Sequence, residues 1–186
     1  MKNVYKSIFA FAIIFASIIL LYTDTAIAKT SYMRDKNKIY YGIDSAMPFT
    51  EKYVKTKNGY RITYFNKSED MDGYYNWQKE TKTGLYLKTV EEPMKLLPYP
   101  IKLGKTWEVF GEVNRIIDTD ATVKIKAGTF KHVVVARDNS TENINKDIYC
   151  IKSYYAPNAG KIKEELIENN QIYTIYELTK IKTIKK

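Results

Sequence analysis

The chain has one histidine and one cysteine, and this limits the chemistry that its side chains can perform. His132 lies directly before the valines at 133–135, and Cys150 lies in the apolar run 148–151. A Ser-His-Asp or Cys-His catalytic site would have to use His132, and the sequence has no Gly-x-Ser-x-Gly motif to accompany it. A zinc site needs three or four His, Cys or carboxylate ligands. The sequence therefore predicts no catalytic residues and no metal site, and we interpret Cys150 as a small buried hydrophobic residue.

Acidic residues occur close together at 69–72, at 118–120 and at Glu164-Glu165. The first group resembles a fragment of a calcium loop but lacks the closing Glu at the required spacing, so a solvated turn is the better interpretation. Successive strand residues point to opposite faces, so Glu164 and Glu165 are not a catalytic pair of the glycosidase kind. No glycine-rich loop suited to phosphate is present. We therefore expect a protein that is not an enzyme and holds no cofactor.

Aromatic residues are the remaining candidates for ligand contacts. Tyrosine occurs 17 times, and all but Tyr5 and Tyr22 lie after residue 28. In a pair such as Tyr154-Tyr155 on a strand, one ring fills the core while the other is exposed. Exposed Tyr74, Trp77 and Tyr154 could stack on sugars or lie at a lipid interface. The alternative is that these tyrosines are present only because they favour strands.

The N-terminus has the order of a secretory signal peptide. Lys2 and Lys6 precede an uncharged, mostly apolar run at 8–22, and small residues follow at 26–28. We expect residues 1–28 to be a signal peptide, cleaved after Ala28, and residues 29–186 to form a single antiparallel β domain. Retention of the segment as an anchor is the alternative. Either way the protein is secreted or held in the cell envelope, and no transmembrane segment follows.

The chain is basic, with a net charge of +9, and losing Lys2, Lys6 and Asp24 with the signal peptide leaves +8. Such a charge favours an anionic cell-wall polymer or lipid headgroups as partners, with another envelope protein as a further possibility. Export argues against nucleic acid. Because no run of five lysines or arginines occurs, an ordinary solvated basic surface is the competing interpretation. Oligomeric state does not follow from the sequence.

Short runs rich in Tyr, Ile, Val and Thr alternate with turn signals, which is typical of antiparallel hairpins. The turn signals are Asn58-Gly59, Thr83-Gly84 and Asn169-Asn170. Residues 133–136 read as a central strand covered on both faces. Residues 172–178 fit a strand or a helix, residues 91–100 read as a proline-rich crossover, and residues 138–147 read as a loop. The predicted fold is mainly β, a single curved or partly closed antiparallel sheet of about eight to ten strands with little helix.

The second half of the chain carries three sequence elements found together in known proteins. These are Leu103-Gly104-Lys105-Thr106-Trp107, then residues 123–130, then residues 154–163. They resemble the LxxGxxW, VxVPAGxF and YYAxGVGxVK elements of bacterial secreted and lipoprotein-like β-sheet proteins of unknown function. Those proteins are similar to the curved sheets of lipoprotein carriers. The resemblance covers roughly residues 97–182. It departs at Lys126, where proline is usual, at Asn158-Ala159, where Gly-Val is usual, and in lacking a lipid-bearing cysteine.

These elements read as structural parts rather than as binding residues. Gly59, Gly128 and Gly160 supply turns between strands. Trp107 and Phe130 are expected to pack in the core, and the indole N–H of Trp107 needs a partner.

Three functions are compatible with the sequence. The first is an exported, non-enzymatic envelope or extracellular binding protein that holds an apolar or amphipathic ligand, or an anionic wall polymer, against the sheet. The second is a structural or interaction protein that pairs through a sheet edge with another secreted protein. The third is a hydrolase. An apolar cavity beside residues 91–100 would favour the first, a long exposed edge strand the second, and a pocket uniting His132 with carboxylates the third.

Overall fold

The computed structural model describes residues 30–56, 59–66, 75–88, 92–139 and 149–184. Of residues 54–56, 59–66, 75–77 and 139, the structure describes only the backbone. The described residues from 31 onwards belong to the compact unit Ser31–Lys186. The predicted signal peptide, the acidic group at 69–72 and Tyr74 lie outside the described residues. Within the described ranges there is no helix, so none that could cross a membrane.

Twelve strands account for most of the described chain. The first six are β1 (Lys38–Asp44), β2 (Met47–Thr56), β3 (Gly59–Asn66), β4 (Tyr75–Thr81), β5 (Gly84–Lys88) and β6 (Pro93–Pro98). The second six are β7 (Thr106–Val109), β8 (Glu112–Ile125), β9 (Gly128–Asn139), β10 (Tyr149–Ala156), β11 (Gly160–Glu168) and β12 (Gln171–Thr183).

All twelve strands form one antiparallel sheet in the order β6-β5-β4-β3-β2-β1-β12-β11-β10-β9-β8-β7. Each strand therefore pairs with its neighbours in sequence, except that β6 and β7 lie at opposite edges. In addition β1 pairs with β12, with Lys38 opposite Thr183. The sheet thus consists of two meanders, β1–β6 and β7–β12, joined along β1 and β12. The predicted fold class, a mainly β protein with one curved antiparallel sheet, is confirmed.

The three predicted hairpins are present at their turn signals. Thr56 is opposite Gly59, and Thr81 is opposite Gly84. Glu168 is opposite Gln171, and the two residues between them, Asn169 and Asn170, have φ of 50° and 63°. Asparagine tolerates this left-handed backbone better than most residues, and it is the geometry that two-residue hairpins require.

The structure differs from the prediction made from the sequence in four details. The strands number twelve among the described residues rather than eight to ten. The proline-rich segment 91–100 contains strand β6, which is possible because β6 lies at the edge of the sheet, where proline costs no ladder hydrogen bond. Residues 172–178 lie in a strand and not in a helix. Asp138, placed in a loop from the sequence, belongs to β9.

The sheet curls so that its two ends face each other. A first cluster of buried side chains joins strands β5 and β6 at one end to β8, β9 and β10 at the other, and its members include Leu85, Leu97, Ile116, Val134 and Tyr155. The burial of these residues stabilises the curved form of the sheet. Each large apolar side chain contributes about 1.5–3 kcal/mol.

A second cluster lies on the other side of β9 and includes Tyr40, Phe49, Val133, Ile162 and Leu178. The hairpin of β8 and β9 bends at irregular pairings between Ile116 and Val123. At its tip the N–H of Ala127 donates to the Leu178 carbonyl at 3.2 Å. Because Val133 and Val134 belong to different clusters, β9 is covered on both faces, as the continuous apolar run predicts.

Candidate functional site

Two adjoining cavities lie between strands β5–β6 and strands β10–β12. The inner cavity, of about 120 Å³, is lined by Arg34, Glu51, Gln78, Leu85, Leu87, Met94, Leu96, Tyr155, Lys161 and Tyr176. The outer cavity, of about 330 Å³ and more open to solvent, is lined by Met94, Lys95, Leu96, Trp107, Val109, Phe110, Glu112, Asn114, Asp138, Ile151, Ser153, Tyr155, Lys161 and Glu164. The two cavities share Met94, Leu96, Tyr155 and Lys161, so we treat them as one site with a deep end and a mouth.

Apolar side chains form most of one wall of this site. Leu85 and Leu87 alternate along β5, and Met94 and Leu96 alternate along β6. The period of two along a strand directs each such pair to the same face, and that face is the one toward the cavities. Charged and polar side chains make up much of the remaining lining.

The polar groups of the inner cavity centre on a buried ion pair between Arg34 and Glu51. Only 4% of Arg34 and 2% of Glu51 is exposed. Arg34 donates to Glu51 and to the hydroxyl of Tyr176, and its Nη2 also donates to the Lys161 carbonyl at 2.8 Å. Its guanidinium lies 4.8 Å from the centre of the Tyr40 ring. These contacts fix the guanidinium, since a charge taken out of water must be paired and hydrogen-bonded.

Arg34 is positioned by the segment that precedes β1. The Asn158 N–H donates to the Ser31 carbonyl at 2.8 Å, and the Asp35 N–H donates to the Asn158 carbonyl at 3.0 Å. At the other side of this segment the Ser31 hydroxyl donates to Glu80 at 2.8 Å. Residues 31–35 therefore bridge β4 and the turn between β10 and β11, and they hold Arg34 toward the interior.

Further charged groups face the site from β11 and from β9. Lys161 donates to Glu164 at 2.9 Å, and its Nζ lies 4.7 Å from the centre of the Tyr176 ring. Asp138 accepts the N–H of Ile151 at 2.6 Å. Partial burial raises the pKa of Asp138 above its ordinary value, and the hydrogen bond from Ile151 opposes that rise.

The tyrosine pair on β10 is divided between the two clusters. Tyr155 packs in the first cluster and lines both cavities. Tyr154 packs against the second cluster and donates to Glu165 at 2.5 Å. Burial, and then this bond to Glu165, raises the pKa of Tyr154. Of the three aromatic residues suggested as ligand contacts, Tyr154 is thus outside the cavity lining. Trp77 lies in β4, opposite Lys88, with only its backbone described.

The residues expected to have structural roles lie in hairpins and clusters. Gly59, Gly128 and Gly160 begin β3, β9 and β11, respectively. Phe130 packs against the second cluster. Trp107 packs against the first cluster, and its indole N–H donates to the Lys95 carbonyl at 2.9 Å, which links edge strand β7 to edge strand β6.

His132 and Cys150 lie apart from the cavities. His132 has a φ of 56° in the bent part of β9, and its Nδ1 is 2.6 Å from Asp120. Both of these side chains are more than two-thirds exposed. Cys150 is buried in β10. No group of three metal-ligating side chains occurs within the described ranges.

The buried ion pair of Arg34 and Glu51 was not identified from the sequence, although the pattern of residues around Glu51 offered one signal. Glu51 lies between Phe49 and Tyr53 on β2, so the strand period puts a carboxylate on the same face as two aromatic rings. All three residues are buried. Its partner Arg34 comes from a segment without regular structure, and no local pattern marks that residue.

The fold has a counterpart among solved structures. A crystal structure from Bacteroides fragilis NCTC 9343, named "putative exported protein with YmcC-like fold", is similar with a TM-score of 0.53 and 12% sequence identity. The similarity covers 81% of this chain and 97% of that one. No family model and no curated protein matches the chain. At this identity the similarity establishes a shared fold, the curved antiparallel sheet that surrounds the cavities.

Proposed function

We propose that the protein is an exported, non-enzymatic binding protein that holds an amphipathic small molecule inside its curved sheet. The observation that carries the proposal is the pair of adjoining cavities, with apolar walls from β5 and β6 and a buried ion pair at the deep end. The outer cavity, at about 330 Å³, lies within the range of about 300–1,000 Å³ that is usual for ligand sites. The name of the Bacteroides protein of similar fold, "putative exported protein", supports the export part of the proposal.

Edge pairing with another protein is the second candidate, and the sheet edges argue against it. The edge strands are β6, with six residues and a proline at each end, and β7, with four residues. The indole of Trp107 on β7 already reaches the backbone of β6. Short edges with proline offer few free backbone groups for an added strand.

A hydrolase receives no support from the geometry around the single histidine. His132 lies outside the cavity lining, and the carboxylate nearest to it belongs to the exposed Asp120.

The proposal is tested by identifying what accompanies the protein isolated from its own cells. Solvent extraction followed by mass spectrometry of the wild-type protein should reveal a stoichiometric amphipathic molecule. Leu96→Trp adds an indole at a position that lines both cavities and should displace the molecule. Leu103→Trp makes the same change at a residue that is 69% exposed and should keep it. The same amount of ligand with Leu96→Trp and Leu103→Trp would contradict a cavity site.

Export is tested separately by sequencing the N-terminus of the protein recovered from culture medium or envelope. The signal-like order of residues 1–28 predicts that the protein begins at Lys29. Recovery of a membrane-bound chain that begins at Met1 would replace the cleaved signal with a retained anchor. Recovery only from the cytoplasm would contradict export altogether.

A further inference from the structure

Glu51 brings a buried hydrogen-bond acceptor to the inner cavity. One carboxylate oxygen of Glu51 accepts from Arg34. Within the residues that the structure describes, no donor reaches the other oxygen, Oε1, which is fully buried. A buried carboxylate oxygen without a donor costs on the order of 1–3 kcal/mol or more, so a bound group that donates a hydrogen bond would recover that free energy.

The other charged and amide side chains of the inner cavity each make at least one hydrogen bond. Arg34 donates to Glu51, Tyr176 and the Lys161 carbonyl. The Lys161 ammonium donates to Glu164. Gln78 Oε1 accepts from Tyr53 at 3.1 Å. The deep end of the site therefore offers an acceptor at Glu51, while both terminal nitrogens of Arg34 and the ammonium of Lys161 already donate.

The charged side chains of the inner cavity restrict the kind of hydrogen-bond donor that a ligand can carry. Arg34 balances Glu51, and Lys161 balances Glu164, so the inner cavity is close to neutral as it stands. A carboxylate ligand would bring a second negative charge beside Glu51, and an ammonium would add an unbalanced positive charge at low dielectric. A neutral donor satisfies Oε1 without either cost.

Building on the proposed binding function, we propose that the ligand class is a neutral hydrogen-bond donor, a hydroxyl or amide N–H, joined to an apolar chain. The donor lies in the inner cavity against Glu51. The apolar chain runs past Met94 and Leu96 into the outer cavity, toward Trp107 and Phe110. Glu51 is then the residue that selects the headgroup, and β5–β6 provides the surface that binds the chain.

The test compares three probes with the same ten-carbon chain: 1-decanol, decanoate and decylammonium. Binding to the full chain is followed by Trp fluorescence or calorimetry. We expect decanol to bind about tenfold or more tightly than decanoate and than decylammonium, in line with the cost of an unpaired buried polar group. Equal affinity for the three probes, or a preference for either charged probe, would overturn the headgroup assignment.

Two variants and one control variant separate this inference from the proposed function. Glu51→Gln keeps the shape and gives the side chain an N–H donor, so the preference for decanol over decanoate should shrink severalfold. Leu96→Trp should weaken all three probes, and Leu103→Trp should weaken none. If the probes bind without preference and Leu96→Trp still abolishes binding, the cavity function stands and the neutral-donor class is wrong. If Leu96→Trp changes nothing, both are wrong. The wild-type comparison needs no variant, so it decides the headgroup question even if Glu51→Gln does not fold.

Discussion

Gly160 shows at the scale of one residue how the buried charge is accommodated. Its φ is +66°, and a Cβ built there would lie 2.8 Å from Cγ of Arg34 and 3.3 Å from Nε. Glycine thus provides both the left-handed turn into β11 and the space through which Arg34 reaches Glu51. Gly111 has a similar φ of +82°, but a Cβ there would meet nothing within 4 Å.

This contrast predicts different effects for the same substitution at the two glycines. Gly111→Ala should lower the free energy of unfolding by about 1–2 kcal/mol, the cost of a side chain in left-handed backbone. Gly160→Ala should lower it by at least about 1 kcal/mol more, because Arg34 must also move. Urea titrations of the two variants measure the difference. Equal losses would show that Arg34 does not depend on the space at Gly160.

The raised pKa of Asp138 predicts that the stability of the folded protein depends on pH. Its pKa is raised in the folded protein, so folding favours the protonated form. The stability that this preference contributes is present below the ordinary pKa of an aspartate and is lost as pH rises through the raised value. Asp138→Asn keeps an oxygen for the Ile151 N–H and removes the charge. It should therefore be more stable than the wild type at pH 7 and should lose that advantage near pH 3.

Thermal melts at several pH values check this expectation. The gain in Tm at pH 7 should not exceed the roughly 2–4 °C that corresponds to 1 kcal/mol in a domain of this size. Asp118→Asn is the matched control, because that exposed carboxylate also accepts a backbone N–H, from Asp120 at 2.9 Å. A loss of stability in Asp138→Asn at neutral pH would indicate that the charge itself is needed at that position.

At the scale of elements, the contact between β6 and β7 keeps the two ends of the sheet together. Trp107 packs in the first cluster and donates from β7 to the Lys95 carbonyl of β6. Trp107→Phe keeps an aromatic ring and removes the donor, so it should cost about 1 kcal/mol.

The effect of Trp107→Phe should be local. Hydrogen exchange measured by mass spectrometry should speed up in residues 93–98 and 106–109 and stay unchanged in β1 and β12, which pair with each other elsewhere in the sheet. Faster exchange that is equal in all strands would mean that the contact contributes only to global stability.

The hairpins could be predicted from the sequence because their causes are local. A pair such as Asn169-Asn170 fixes a two-residue turn by its own backbone preferences, and the flanking runs alternate with the period of a strand. Strand β6 was not predicted, because prolines usually mark a break in a strand. Its position at an edge of the sheet, where proline is tolerated, becomes visible only in the complete sheet. The pairing of β1 with β12 and the meeting of Arg34 with Glu51 join distant segments. One sequence carries no pattern that specifies such contacts.

At the scale of the whole molecule, the basic charge predicts a general attraction to anionic envelope material. The chain carries 30 Lys and Arg against 21 Asp and Glu. Co-sedimentation with purified cell walls and with liposomes containing an acidic lipid should be strong at low salt and should fade as salt rises, because exposed charges more than about 8 Å apart are screened at physiological ionic strength. Zwitterionic liposomes are the control and should bind little.

The proposed binding of an amphipathic molecule in the cavity should persist at salt concentrations that remove the protein from anionic surfaces. The two kinds of association can therefore be measured on the same sample. Retention on acidic liposomes at high salt would contradict a purely electrostatic attraction and would indicate contact through apolar groups. No association with walls or acidic liposomes at low salt would remove these surfaces as partners.

The pairing of β1 with β12 has a consequence for when the cavity comes into existence. Every other neighbouring pair in the sheet is consecutive along the chain, so each meander can assemble from nearby residues. Joining β1 to β12 brings together the two ends of the domain, and this long-range closure is the slowest kind of contact to form. Glu51, Leu85 and Met94 belong to one meander, whereas Tyr155, Lys161 and Tyr176 belong to the other. We therefore expect the cavities to form only in the last assembly step, and we expect a chain that loses either terminal strand to keep the two halves of the lining with no cavity between them.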